Sequence, residues 1–169
     1  PELAFGTGHH PTTRMMLETL LDMDAKRQVK NRRILDLGTG TGILAILAAK
    51  MGAAIPVHAL DNDLRCVHSC TENARRNRVA HKIQVHHADA SFIQQGRYGL
   101  ILANIHRNIL SYEMDTLSRS LEPGTSHVLL SGFYTTDVPA MLEAAQRNGL
   151  VLHAQKENEG WSLLHLTKP

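Results

Sequence analysis

The residues best placed to do chemistry stand in one short run, Asp36-Leu37-Gly38-Thr39-Gly40-Thr41-Gly42, and in Asp61, 21 positions beyond Gly40. Alternating glycines let a backbone turn sharply and bring a ligand against peptide N–H groups at the positive end of a helix. A carboxylate closing the next strand can accept both hydroxyls of a ribose. Together they describe a site for a ligand that contains adenosine, and two ligands qualify. Gly40-Thr41-Gly42-Ile43-Leu44-Ala45 satisfies G-x-G-x-x-A, the dinucleotide pattern, while a methyl donor with an amino-acid tail uses Asp61 equally well. Asp36 points to the donor, because a carboxylate there can face an ammonium group and would repel a pyrophosphate. The loop also contains neither Lys nor Arg.

Asn104 closes the apolar run from Gly99 and can accept a hydrogen bond from an amine through its side-chain oxygen, aiming the nitrogen lone pair without acting as a base. His106 is the nearest candidate base, although a polar residue at a helix start is the plainer reading. His9-His10 and His86-His87 do not read as metal ligands, since adjacent strand residues point to opposite faces and no Cys or carboxylate accompanies them at ligand spacing. Cys66 and Cys70, one helical turn apart, read as packing. Arg75-Arg76-Asn77-Arg78 reads as a helix end whose charges complement the dipole, with an RNA or ribosome contact as the alternative. Trp161 reads as a cover over the sheet edge.

The elements that must carry these residues follow from periodicity. Helical spacing of Met15, Met16, Leu20 and Met23 predicts a leading helix from Thr12 to Met23, started by Thr12 or Thr13, and a basic linker, Lys26 to Arg32, follows. Strands are expected at Arg33–Leu37, Pro56–Leu60, Lys82–His86, Gly99–Ile105 and His127–Leu130, alternating with helices that end near Lys50, Asn77, Ser120 and Arg147. That rhythm is α/β with a parallel sheet. Leu150–Gln155 and Ser162–Leu166 are too close for a crossover helix, so they form an antiparallel hairpin. The expected fold is a three-layer, doubly wound, mostly parallel seven-stranded sheet with a C-terminal antiparallel hairpin. The hairpin separates the methyltransferase arrangement from that of the dehydrogenases.

Composition sets the outer limits. The 169 residues make one domain; 43% are hydrophobic and 20% charged, which excludes disordered and collagen-like classes. The longest apolar run, Gly42 to Ala49, is far short of a membrane span. Two cysteines are no disulfide framework, so a cytoplasmic setting is expected. A net charge of +2 does not announce a nucleic-acid binder. The chain opens at Pro1 without an initiator Met, which suggests a piece of a longer protein.

Four segments taken together resemble the bacterial ribosomal protein L11 methyltransferase family. They are Phe5-Gly6-Thr7-Gly8-His9-His10-Pro11-Thr12-Thr13, Asp36 to Ile46, Ala59-Leu60-Asp61-Asn62-Asp63 and Leu102-Ala103-Asn104-Ile105. The resemblance implies a class I, Rossmann-like, S-adenosyl-L-methionine-dependent methyltransferase that methylates a lysine or α-amine of a ribosomal protein. It implies that Thr13, Gly38, Asp61 and Asn104 contact the donor, Gly38 and Gly40 passing its methionyl part and Asp61 holding the ribose. The loop from Phe5 to Thr13 would close over it. Asp89, after the third strand, stands where this fold commonly meets the adenine amino group. Residues 33–169 would be the donor-binding core and 1–32 the lid loop, leading helix and linker, with the family's N-terminal substrate-recognition domain absent. The expected partners are a ribosomal protein substrate and at most a weak ribosome contact, with no DNA, membrane or metal, and the chain is expected to be a monomer. An RNA or small-molecule methyltransferase and a non-catalytic donor-binding module are the rivals; Ile105-His106-Arg107 after Asn104 departs from the N-P-P-Y of many amine and base methylases.

Overall fold

The computed structural model describes residues 8–93 and 97–169. Strands β1 (Ile34–Leu37), β2 (Val57–Asp61), β3 (Ile83–His87), β4 (Leu100–Asn104) and β5 (Ser126–Tyr134) are parallel. β7 (Trp161–Lys168) lies antiparallel between β5 and β6 (Val151–Asn158), giving one sheet in the order β3-β2-β1-β4-β5-β7-β6. The helices are α1 (Pro11–Ala25), α2 (Ile43–Lys50), α3 (Leu64–Arg76), α4 (Arg107–Ser120) and α5 (Val138–Arg147). This is the expected class and topology. No helix among the described residues is long and apolar enough to cross a membrane.

Strand alternation sorts side chains between two cores. Ile34, Val57, Ala59, Leu100 and Leu102 pack with Met16 and Leu20 of α1, Ala45 of α2 and Cys70 of α3. Leu35, Leu37, Leu60, Ile101 and Ala103 pack on the other face with Leu110 and Met114 of α4 and Met141 of α5. Asp36, Asp61 and Asn104 share the phase of the first set. The same period that buries the core therefore brings three polar residues to the α1–α2–α3 side, at the carboxyl ends of adjacent strands β2, β1 and β4.

Several boundaries differ from expectation. β2 begins at Val57, leaving Pro56, which has no N–H to donate, outside the ladder. α1 starts at Pro11 with His10 as its cap: the imidazole Nδ1 accepts the Thr12 N–H at 3.3 Å, so neither threonine serves as the cap, and both are buried. β5 runs four residues past Leu130, because the Ser131 hydroxyl that marks a stop in the sequence donates to the Ser162 carbonyl at 2.7 Å. The hairpin strands are longer than their apolar stretches. Lys156–Asn158 pair despite their polarity, and the turn shrinks to Glu159-Gly160, both at positive φ as a two-residue hairpin turn of this kind requires.

Candidate active site

The glycine loop is held from beneath. Asp36 is 1% exposed; its Oδ2 accepts the Thr39 hydroxyl at 2.6 Å, and the Ala45 N–H faces the carboxylate closely enough to favour its charged form. Ala45 is the third residue of α2, whose N-cap, Gly42, has no side chain to offer. Asp36 thus puts a carboxylate beneath the N-terminal end of α2, where the dipole favours an anion. Burial pushes its carboxyl up to about 6, against the pull of the Thr39 and Ala45 hydrogen bonds. Thr39 N–H donates to Leu60 O at 2.9 Å and Gly42 N–H to Thr39 O at 2.9 Å, which closes the loop on β2.

Asp61 lies beside this loop. Its Oδ2 accepts Gly40 N–H at 2.9 Å and its Oδ1 accepts Asp63 N–H at 2.9 Å. Each oxygen keeps a lone pair, so the oriented carboxylate can take two further donors on neighbouring positions. At the end of β4, Asn104 Nδ2 donates to Thr13 Oγ1 at 3.4 Å, while its Oδ1 is buried with no hydrogen-bond partner among the described residues. An unsatisfied buried acceptor costs about 1–3 kcal/mol, and native structures keep few of them.

Two depressions meet across Gly38 and Asn104. The larger, about 310 Å³, is lined by Leu60, Asp61, Asn62, Asp89, Ala90 and His106 among others. The smaller, about 160 Å³, is lined by Thr13, Thr39, Gly40, Ile43 and Cys66. The structure therefore brings Thr13, Gly38, Gly40, Asp61, Asp89 and Asn104 together. Asp36 lines neither depression and touches the site through the loop. Asp89 is exposed, with Oδ1 accepting the Ser91 N–H at 2.9 Å and its hydroxyl at 2.5 Å, bonds that hold its carboxyl below the usual carboxylate range. Phe5 and Gly6 lie outside the described residues. His106 is the exposed N-cap residue of α4 at the cleft rim.

The sequence reading missed the contact that fixes Asn104. Gly132, at φ +99° and at a register shift between β5 and β7, crosses the backbone of Ile105. A Cβ there would lie 2.3 Å from the Ile105 carbonyl oxygen. Ile105 N–H also donates to Ser131 O at 3.1 Å. The available signal was a glycine inside an otherwise buried strand, which marks a bulge or a close backbone approach. Gly38 meets the other side of the same residue, since its Cβ would lie 2.3 Å from Ile105 Cγ2.

The remaining candidates fall elsewhere. His86 Nε2 pairs with His58 Nδ1 at 3.0 Å, and His87 Nε2 meets the Asn62 carbonyl at 3.1 Å. Cys70 is buried against Gly42. Arg75 and Arg76 pair with Glu72 on their own helix. Trp161 stacks between His10 and Tyr134 at the rim of the sheet. Among the described residues no group of three or more His, Cys, Asp or Glu side chains could hold a metal ion.

Known proteins resemble this chain in sequence and fold. The family model described as ribosomal protein L11 methyltransferase (PrmA) matches residues 1–169. The ribosomal protein L11 methyltransferase of Porphyromonas gingivalis is 45% identical over 168 residues, covering 99% of this chain and 56% of that protein. The chain spans about half the length of the curated relatives it matches. Among solved structures, ribosomal protein L11 methylase from Lactobacillus delbrueckii subsp. bulgaricus superposes with a TM-score of 0.83 at 27% identity, over 95% of this chain and 80% of that one. An RNA methyltransferase from Salinibacter ruber, solved with S-adenosyl-L-homocysteine, gives 0.71 at 18% identity over 95% and 94%, a likeness of fold alone. With the family model matching from end to end and nearly half of the residues shared with a named relative, the chain belongs to the ribosomal protein L11 methyltransferase family.

Proposed function

We propose that this domain transfers a methyl group from S-adenosyl-L-methionine to an amino group of a ribosomal protein, L11 by the relatives' name, in the cytoplasm where ribosomes are assembled. The observation that carries the reading is Asn104, which lines both adjoining depressions and whose side-chain carbonyl oxygen is buried without a donor among the described residues. An amine N–H arriving there satisfies it. The residues present fit the donor. Asp61 has one free lone pair per oxygen for a ribose diol, Asp89 faces the larger depression for an adenine amino group, and Gly38 and Gly40 border the smaller one for the methionyl part. A Cβ at Gly40 would meet nothing within 4 Å, so open space lies beside the loop.

The bound donor supplies an electrophilic methyl on a sulfonium. The chain's own share is positioning and dehydration. A lysine amine must lose its proton first, at a cost of about 4–5 kcal/mol at pH 7. Asn104 Oδ1 then holds one remaining N–H and points the lone pair, while Thr13 Oγ1 fixes the amide's other end. Alignment of this kind is worth several kcal/mol. Asp36 acts on the donor through the loop it holds from beneath, and Thr13 borders the smaller depression. Every residue given a role comes from a single copy, so a monomer suffices. Residues 33–169 are the donor-binding core and 1–32 its loop, leading helix and linker. Recognition of the protein substrate falls to the part of the relatives that this chain does not match.

Labelled donor incubated with ribosomal subunits and with isolated ribosomal proteins tests the reading. Label on protein amines supports it; label on RNA, or on nothing while the donor still binds, refutes it. Asp61→Ala is expected to weaken donor binding by about 1–3 kcal/mol in a calorimetric titration.

A further inference from the structure

A second pocket opens at the other end of the sheet. It occupies the α4–α5 face over the start of β2, about 300 Å³ in volume, lined by Arg33, Pro56, His58, Phe92, Arg97 and Tyr98 among others. His58 precedes Asp61 by three residues on β2, so the two sites are separated by about 10 Å of strand. No carboxylate lines this pocket. Its two arginines are exposed and form no ion pair or side-chain hydrogen bond among the described residues.

Four paired arginines at this end stand in a different setting. Arg75, Arg76, Arg119 and Arg147 sit near the C-terminal ends of helices and pair with carboxylates one turn earlier, as dipole complementarity expects. Arg33 and Arg97 precede strands instead, where no helix end calls for charge. The Tyr98 side chain is buried, yet its hydroxyl makes no hydrogen bond among the described residues. Burial raises the hydroxyl's pKa against the pull of Arg97, which keeps it a proton donor. Phe92 is 41% exposed, its ring resting on His86 with centroids 4.3 Å apart.

Two free guanidinium groups, a free phenol and an exposed aromatic face around one concavity match a ligand that is anionic at one end and flat at the other. We propose that this pocket binds a nucleotide phosphate, with Arg33 and Arg97 on the phosphate oxygens, the Tyr98 hydroxyl donating to it and the base lying against Phe92. A free mononucleotide and a nucleotide within single-stranded RNA present the same chemistry.

Titration of isotope-labelled protein with uridine 5′-monophosphate tests this, with the donor cleft filled by S-adenosyl-L-homocysteine. Amide shifts are expected at Ile55, His58, Arg97 and Tyr98. The R33A/R97A variant, with its melting temperature checked, is expected to bind at least tenfold more weakly, and Phe92→Ala to weaken the nucleotide but not inorganic phosphate. A uridine decamer that binds at least tenfold tighter than the monophosphate, with a salt slope that falls by about 1.4 in R33A/R97A, identifies RNA as the source. Equal affinity of decamer and monophosphate identifies the free nucleotide. The proposal is overturned if uridine binds as well as its phosphate, if inorganic phosphate matches the nucleotide, if R33A/R97A binds like the parent, or if the homocysteine ligand competes. None of these outcomes depends on whether methyl transfer occurs.

Discussion

Gly132→Ala probes how the fold aims Asn104. The added Cβ would lie 2.3 Å from Ile105 O, 2.8 Å from its carbonyl carbon and 2.9 Å from its nitrogen, whereas ordinary contact begins near 3.4 Å. All three obstacles are backbone, so no rotamer change relieves them. The segment Asn104–Ile105 must retreat by about 1 Å, or β5 must bend away from β4 and lose the Ile105 N–H to Ser131 O bond. The φ of +99° adds a strain of about 1–2 kcal/mol for a residue with a side chain, and overpacking adds about 1–3 kcal/mol. The expected loss of stability is thus about 2–5 kcal/mol. A 1 Å misplacement of a positioning group can cost about a hundredfold in rate. Asp61 and Gly40 stand on the far side of β1, so donor affinity is expected to change less than threefold. Donor calorimetry, thermal melting and methyl transfer to L11 measure the three quantities separately. A stable variant with parental turnover would refute the claim that this crossing sets Asn104.

Gly38→Ala meets a side-chain atom, Ile105 Cγ2, so the double change with Ile105→Ala is expected to recover part of the lost turnover; no recovery would mean the clash is not the cause. Thr13→Val removes the partner of Asn104 Nδ2 and is expected to lower turnover about tenfold, the scale of one hydrogen bond of about 1 kcal/mol or slightly more, with a smaller effect on donor affinity. His127 and His165, Nδ1 to Nε2 at 3.0 Å, are buried among Arg32, Lys26, Lys156 and His153, and burial first and these charges second push them down to about 4 and about 3. Their folded pKa values lie below the unfolded 6.5, so their contribution is intact above pH 6.5 and is lost as pH falls toward 4. Between pH 7 and 5 one such ring costs up to about 2 kcal/mol. Asp36, raised to about 6, works in the opposite sense, so the informative readout is the difference in urea midpoints between the parent and His165→Asn at each pH; parallel pH profiles would refute the assignment.

What could be read from the sequence was what local periodicity encodes. Period-two alternation placed five parallel strands, and the short spacing after Gln155 forced the hairpin, because neither inference needs knowledge of a distant partner. Boundaries failed where a tertiary contact outweighed a local signal. Ser131 looks like a strand terminator until its hydroxyl finds the Ser162 carbonyl, and the polar Lys156–Asn158 stretch looks like loop until β7 pairs with it. The His58–His86 pair was invisible for a related reason. In the β2–β3 register His58 stands opposite Gln84, so the two imidazoles meet on a diagonal that only the register defines.

The site shows the same division, with one further lesson in Asp36. Residue type and position at the strand end suggested a carboxylate facing the ligand's ammonium group. Asp36 has the strand phase of Asp61 and Asn104 but stands one residue short of the end of β1, beneath the loop, where its carboxylate accepts the Thr39 hydroxyl below a helix that begins at a glycine. A helix that opens on a side-chain-free residue gains a ligand approach and loses its own cap; the carboxylate beneath the loop puts an anion near that positive end without filling the approach. Asn104 follows the same logic. Gly38, in the loop after β1, meets the Ile105 side chain and Gly132, on β5, meets its backbone, so the amide is oriented through its chain neighbour rather than by bonds to its own oxygen. That leaves the buried oxygen without a partner among the described residues, which is the condition a group must meet if it is to hold an incoming amine rather than the protein itself.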